Sequence, residues 1–285
     1  MVSGQPDSKL IDVRQLGREK VIGAWDLGGA IVDPGPEPRI DTLLAGLTEK
    51  PVALLLTHIH LDHAGAAGAL VERFPGLEVW VHAKGAPHLI DPAKLLASAE
   101  RIYGDDMDRL WGEVLPVPAG NVVALEGGES FEGFRVAYTP GHASHHVAYL
   151  HEASGDAYVG DLAGVRIPPV DFTIPPTPPP DIDLEAWERS LDVVAAWHPP
   201  RLCLTHFGHI EDVPTQLERV RERLRASAEL ARHGRRDRFL REIEVETDRW
   251  VDDEVALRLR QAAPPELQWL GLERYWRKHP PSSAT

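Results

Sequence analysis

Thr57-His58-Ile59-His60-Leu61-Asp62-His63 places three imidazoles and a carboxylate within six residues. Imidazole and carboxylate are ligand types for zinc, iron and manganese. His58 and His60 stand two apart, the spacing at which a chain leaving a strand end points alternate side chains into one pocket. Asp62 and His63 then turn toward a neighbouring position. The alternative is a solvated histidine-rich turn, and four such residues in this arrangement argue against it.

Three further fragments carry the same residue types. Thr139-Pro140-Gly141-His142 follows a strand-like segment, Val159-Gly160-Asp161 sets a carboxylate after another, and Leu204-Thr205-His206 sets an imidazole after a third. Singly, each reads as an ordinary capping or surface residue. Together His58, His60, His63, His142 and His206 with Asp62 and Asp161 are enough to hold two metal ions with one carboxylate shared.

Strand-like and helix-like segments alternate around these residues. Val21–Trp25 and Ala30–Asp33 read as short strands about Gly28-Gly29, and Val52–Thr57 as a strand buried on both faces. Leu77–His82, Phe131–Thr139, His146–His151, Ala157–Gly160 and Arg201–Thr205 read as further strands. Helical spacing marks Ile40–Leu47, Ala64–Phe74, residues 92–111 and Leu184–Trp197. Seven of the fourteen residues 167–180 are proline, which predicts an extended loop over the surface. Beyond residue 212 one helix face carries Leu217, Val220, Leu224, Ala228 and Ala231, and a second helix is expected over Asp237–Gln261.

Charge divides the chain at the same place. The 285 residues carry a formal net charge of −14. Residues 1–212 hold 31 acidic against 15 basic side chains, and residues 213–285 hold 13 against 15. A boundary near Val213 separates a domain over 1–212 from a helical extension over 213–285. An acidic surface repels phosphate, so no nucleic-acid partner is expected. No apolar run reaches the roughly 18–20 residues of a membrane span, and one cysteine, Cys203, excludes an internal disulfide framework. No membrane partner and a cytoplasmic location are the expectations.

The ordered set His58-Ile59-His60-Leu61-Asp62-His63, Gly141-His142, Gly160-Asp161 and Thr205-His206 resembles the signature of the metallo-β-lactamase-fold hydrolases over roughly residues 12–212. The resemblance implies an α/β fold, an αβ/βα four-layer sandwich of two mixed β-sheets with metals at one sheet edge. It implies one metal on His58, His60 and His142, another on Asp62, His63 and His206, and Asp161 bridging. Two divalent ions are expected, zinc first, with iron and manganese open. Asp161 argues against a true β-lactamase, which lacks that bridge, and His60 against the diiron oxygen reductases, which generally carry Glu there. The ligand set is similar to that of glyoxalase II, in a stand-alone branch.

Two dications sharing Asp161 can bridge a water and lower its pKa, and the resulting hydroxide attacks a carbonyl or phosphoryl group. Asp62 is the expected catalytic residue, orienting metal and nucleophile. Ligand histidines need partners for their other ring nitrogen, and Asp33 is a candidate. The leading expectation is a binuclear hydrolase of a small ester-like molecule, a thioester or lactone. A mononuclear iron sulfur dioxygenase on the same fold is the alternative, followed by a phosphodiesterase or nuclease, with a non-catalytic binding protein last.

Other residues carry weaker signals. His145, His146 and His209 lie near the motif histidines in sequence, whereas His82, His88 and His151 have no partner pattern. Cys203 reads as a small hydrophobe. Tyr103, Met107 and Trp111 suit core packing, or a cap over the metal edge across residues 92–118. The Arg232–Arg241 cluster reads as a solvated helix surface. Trp250, Trp269, Leu270, Leu272, Tyr275 and Trp276 are apolar surface that packs on the first domain, the favoured outcome, or forms a homodimer.

Overall fold

Twelve short strands build the frame in the computed structural model, which describes residues 8–249 and 253–280. They are β1 (Lys9–Asp12), β2 (Gly23–Asp26), β3 (Ala30–Val32), β4 (Ala53–Leu55), β5 (Glu78–His82), β6 (Val122–Leu125), β7 (Ser130–Phe131), β8 (Phe134–Tyr138), β9 (Val147–His151), β10 (Ala157–Gly160), β11 (Leu202–Leu204) and β12 (Gly208–Ile210). The first six form one sheet in chain order, and the last six form the other in the order β12-β11-β10-β9-β8-β7. Both sheets mix parallel and antiparallel pairs; β3 to β6 run parallel, and so do β10 and β11.

The two sheets face each other across one apolar layer. Trp25, Val32 and Leu55 meet Phe134, Val147, Tyr149 and Tyr158 there. Ile31, Leu54 and Val79 alternate to the other face of the first sheet and pack with Leu43, Leu70 and Leu89 of its helices. Ala148, Val159 and Leu204 do the same for the second sheet, against Trp187, Leu191, Val220 and Leu224. The result is the expected four layers, helices outside and two mixed sheets inside.

The C-terminal extension departs from expectation. Helix Val213–Arg232 is followed by Arg236–Arg249 and Asp253–Ala262 rather than one helix over Asp237–Gln261, and Pro265–Lys278 adds another. Pro265 occupies the first turn of that last helix, where a missing N–H costs nothing, so the Pro264-Pro265 pair starts a helix as well as ending one. Trp269, Leu272 and Tyr275 are buried in the core that also holds Trp187 and Val220, as the intramolecular expectation has it. Leu270 on the outer face is 46% exposed, and Trp250 lies outside the described residues. No helix among the described residues is long and apolar enough to cross a membrane.

The proline segment is not a surface loop. Ile167, Val170, Phe172 and Ile174 are buried with Phe207, Val255 and Leu259, so the segment runs as a strap beneath the C-terminal helices. Proline makes this possible: it brings no backbone N–H that burial would leave unpaired.

Candidate metal centre

Strand ends deliver the seven residues to one edge of the sandwich. His58 follows β4, and His60 caps the short helix Leu61–Ala64 that carries Asp62 and His63. His142 lies between β8 and β9, Asp161 follows β10, and His206 follows β11. Gly141 sits at φ 144°, and a Cβ there would collide with the Trp187 backbone, so only glycine lets the chain turn His142 inward here.

Two groups result, one of His58, His60, His142 and Asp161 and one of Asp62, His63 and His206, each with its ligating atoms within 4.8 Å of one another. In the first, His60 Nδ1 lies 3.0 Å from His58 Nε2 and 2.9 Å from His142 Nε2. Asp161 stands between the groups. Its Oδ2 is 3.2 Å from His142 Nε2, while its Oδ1 is 3.4 Å from His63 Nε2 and 3.5 Å from His206 Nε2. Asp62 Oδ2 approaches His206 Nε2 at 3.4 Å and His63 Nε2 at 3.8 Å.

The outward ring nitrogens are anchored. His63 Nδ1 donates to Asp33 Oδ2 at 2.8 Å, His142 Nδ1 to the Pro176 carbonyl at 2.7 Å, and His206 Nδ1 to the Val21 carbonyl at 2.6 Å. Thr57 donates its hydroxyl and its backbone N–H to Asp33, and Thr205 Oγ1 donates to the same carboxylate at 3.0 Å. Asp33 thus ties the β4 end to the β11 end, and such bonds fix ring orientation and ligand basicity. The outer partner at Asp33 was legible from its turn; the threonines opening two of the motifs, and the Pro176 and Val21 carbonyls, were not.

Burial lowers the pKa of His58, His60 and His142, that of His60 to about 4, which leaves neutral rings with inward lone pairs. At His63 and His206 burial acts the same way but is outweighed by Asp161 and Asp62, and both pKa values rise. Burial would raise Asp62, yet His63 and His206 hold it down to about 2. This field favours positive charge. His63 Nε2, His206 Nε2 and Asp161 Oδ1 are buried without a hydrogen-bond partner among the described residues. Each such orphan costs about 1–3 kcal/mol, and a divalent cation among nitrogen and carboxylate donors is the group that satisfies all three. The donor set fits the implied metals.

Neighbouring histidines divide. His145 stacks 6.2 Å from His58, and His146 is buried with its Nδ1 2.8 Å from Thr139 Oγ1, so both pack behind the first group. His209 lies on Trp25 and Cys203 instead. His82 stacks on Tyr138 and His151 packs on Phe134, as bland packing predicts. Arg238 pairs with Glu242 and Arg232 with Glu229 on the helix surface.

A cleft opens over Asp62. Helix Ala93–Tyr103 forms one wall, the proline strap a second, and the residues leading into helix Pro265–Lys278 a third. Tyr103 packs edge-on against Trp111 and also faces the cleft, so the core and cap readings both hold for it. Ala262, Pro264, Leu267 and Gln268 bring the C-terminal helices to the cleft; a helical tail closing the pocket is an expectation of the sequence, but nothing local marks which of its residues return to the site.

The sequence profile of the Metallo-beta-lactamase superfamily matches residues 26–206, which contain all seven residues. A hydroxyacylglutathione hydrolase of Synechococcus sp. is 31% identical over 134 residues, 46% of this chain and 42% of that protein. A hydroxyacylglutathione hydrolase of Haemophilus influenzae is 30% identical over 141 residues, 48% of this chain and 63% of that protein. The chain thus spans about half the length of the curated relatives it matches. Among solved structures, an archaeal metallo-beta-lactamase superfamily protein from Sulfolobus tokodaii superposes with a TM-score of 0.73 at 25% identity, covering 94% of this chain and 98% of that one.

Proposed function

The chain belongs to the metallo-β-lactamase superfamily, and from that premise we propose that it is a binuclear metal-dependent hydrolase of a small ester-like substrate, a thioester or a lactone. The observation that carries the reading is Asp161, which offers one carboxylate oxygen to each of two complete donor groups. His58, His60 and His142 would hold one cation, Asp62, His63 and His206 the other, with zinc the first candidate for such imidazole-rich sites. Bound divalent cations supply Lewis acidity toward the substrate oxygen and lower the pKa of a water.

The chain's own groups do the positioning. Asp62 is 23% exposed and faces the cleft. Because it stays ionised, it accepts a hydrogen bond from the attacking water and orients it toward the carbonyl. Asp33, Pro176 and Val21 hold the histidine rings so that no reorganisation is needed when substrate enters. The cap helix and the strap wall the cleft above Asp62.

A panel of thioesters and lactones, assayed before chelation, after dialysis against a chelator and after restoring zinc, tests this. Hydrolysis should vanish with the metal and return with it. Turnover that persists through chelation, or oxygen uptake in place of hydrolysis, would contradict the reading.

A further inference from the structure

One continuous cleft runs over the metal edge. A part of about 100 Å³ ends on His60 and Asp161, and a part of about 360 Å³ runs past His206. The two share Asp62, Ile102, Tyr103, Ala262, Pro264 and Leu267, so a molecule held at Asp62 borders both. Hydrocarbon lines both as well. Leu95, Ala99 and Ile102 of the cap helix and Pro178 of the strap wall the smaller part. Leu16, Val21 and Ile22, from the segment joining β1 to β2, wall the larger one with Leu110 and Trp111. The glutamines of the lining bond within the chain. Gln15 Nε2 donates to the Leu110 carbonyl at 2.7 Å, Gln261 Oε1 accepts from Arg18 at 2.6 Å, and Gln268 Nε2 donates to the Pro264 carbonyl at 3.3 Å. Apart from the proposed metal ligands on the floor, Arg109 is the only charged side chain among the described residues lining the cleft. It is 58% exposed and pairs with Asp106 at 3.0 Å, so it stands at the rim with its charge already met.

Such walls reward methylenes removed from water and penalise a carboxylate or phosphate that leaves water without a partner. Resting on the hydrolase reading above, we infer that the cleft selects a neutral, hydrocarbon-rich ester, thioester or lactone. A compound built on a carrier whose carboxylates or phosphates fall inside the cleft is disfavoured. An apolar cavity of about 150 Å³ admits benzene, so the larger part alone has room for about twelve carbons. Selection falls on the groups flanking the reacting carbonyl, whichever part each enters. The centre itself is indifferent to it, because the charge that develops on cleavage stays at the metal edge.

Calorimetric titration of the zinc-reconstituted full chain with three hydroxamates tests the cleft without turnover. Acetohydroxamate reports the centre alone, hexanohydroxamate adds four methylenes, and adipic monohydroxamate carries a terminal carboxylate on the same six carbons. Hexanohydroxamate should bind about thirtyfold tighter than acetohydroxamate, and adipic monohydroxamate no tighter than acetohydroxamate. Leu267→Lys, on the half-buried wall common to both parts, should raise the affinity for adipic monohydroxamate about tenfold. The unsubstituted series decides the matter even where that variant does not fold. Equal binding of all three, or preference for the adipic compound without the substitution, overturns the selection while leaving the centre standing. A zinc-loaded protein that binds none of the three overturns it as well. A protein that takes up no zinc removes the hydrolase reading, and this inference with it.

Discussion

Asp33 concentrates more of the site's order than any other residue outside the two donor groups. Its carboxylate accepts from Thr57 N, Thr57 Oγ1, Thr205 Oγ1 and His63 Nδ1, and it does so from a left-handed backbone conformation at φ 50°. Asn tolerates that conformation but replaces an acceptor with a donor, so at least one of these donors loses its partner. Asp33→Asn should therefore weaken zinc binding at the Asp62–His63–His206 group about tenfold to a hundredfold while leaving the fold in place. Competition with a calibrated chelator measures this, and unchanged affinity would show that His63 needs no such anchor. At this scale the sequence was most informative, because ligand chemistry is written in residue types. The backbone acceptors were invisible, since any residue supplies a carbonyl, and only the fold decides that those of Pro176 and Val21 reach a ring.

Helix Pro265–Lys278 and the proline strap act as one element. A Cβ on Gly271 would collide with the Thr177 carbonyl oxygen, so the helix lies directly on the strap. Gln268 accepts from Thr177 N, and Thr177 Oγ1 donates to the Gln268 carbonyl at 3.0 Å. The neighbouring Pro176 carbonyl receives His142 Nδ1. Helix, strap and His142 are thus connected by direct contacts. Gly271→Ala should lower stability by about 1–3 kcal/mol and loosen zinc at the His58–His60–His142 group, whereas Leu270→Ala on the exposed face should change neither. Denaturant unfolding and chelator competition on both variants decide it; equal behaviour would break the connection. Strands with apolar runs were readable, β10 to the residue, but Lys9–Asp12, Val122–Leu125 and Gly208–Ile210 were not. All three are edge strands, paired on one side only, and β12 is three residues long. Such strands need no strong apolar pattern of their own. The strap was misplaced because proline content speaks of ladder bonding, not of burial.

Across the whole molecule, the sandwich converts sequence separations of more than a hundred residues into contacts of a few ångströms. Asp33 and Thr205 bond directly, and so do Val21 and His206, joining the first sheet to the second at the metal edge. The architecture was expected only through the family resemblance. The four motifs identify the chemistry, while composition and periodicity alone give alternating strands and helices without a sheet order. The acidic charge of the whole chain, −14, accords with cation binding. On the proposed reading one carboxylate, that of Asp161, joins two metal positions. Metal content per chain by plasma mass spectrometry, on protein purified without added metal and on Asp161→Ala and His206→Ala variants beside it, tests it most directly. About two zinc or manganese ions per chain, reduced in both variants, is the predicted result. About one iron per chain, unaffected by His206→Ala, or no metal even after reconstitution, would contradict it.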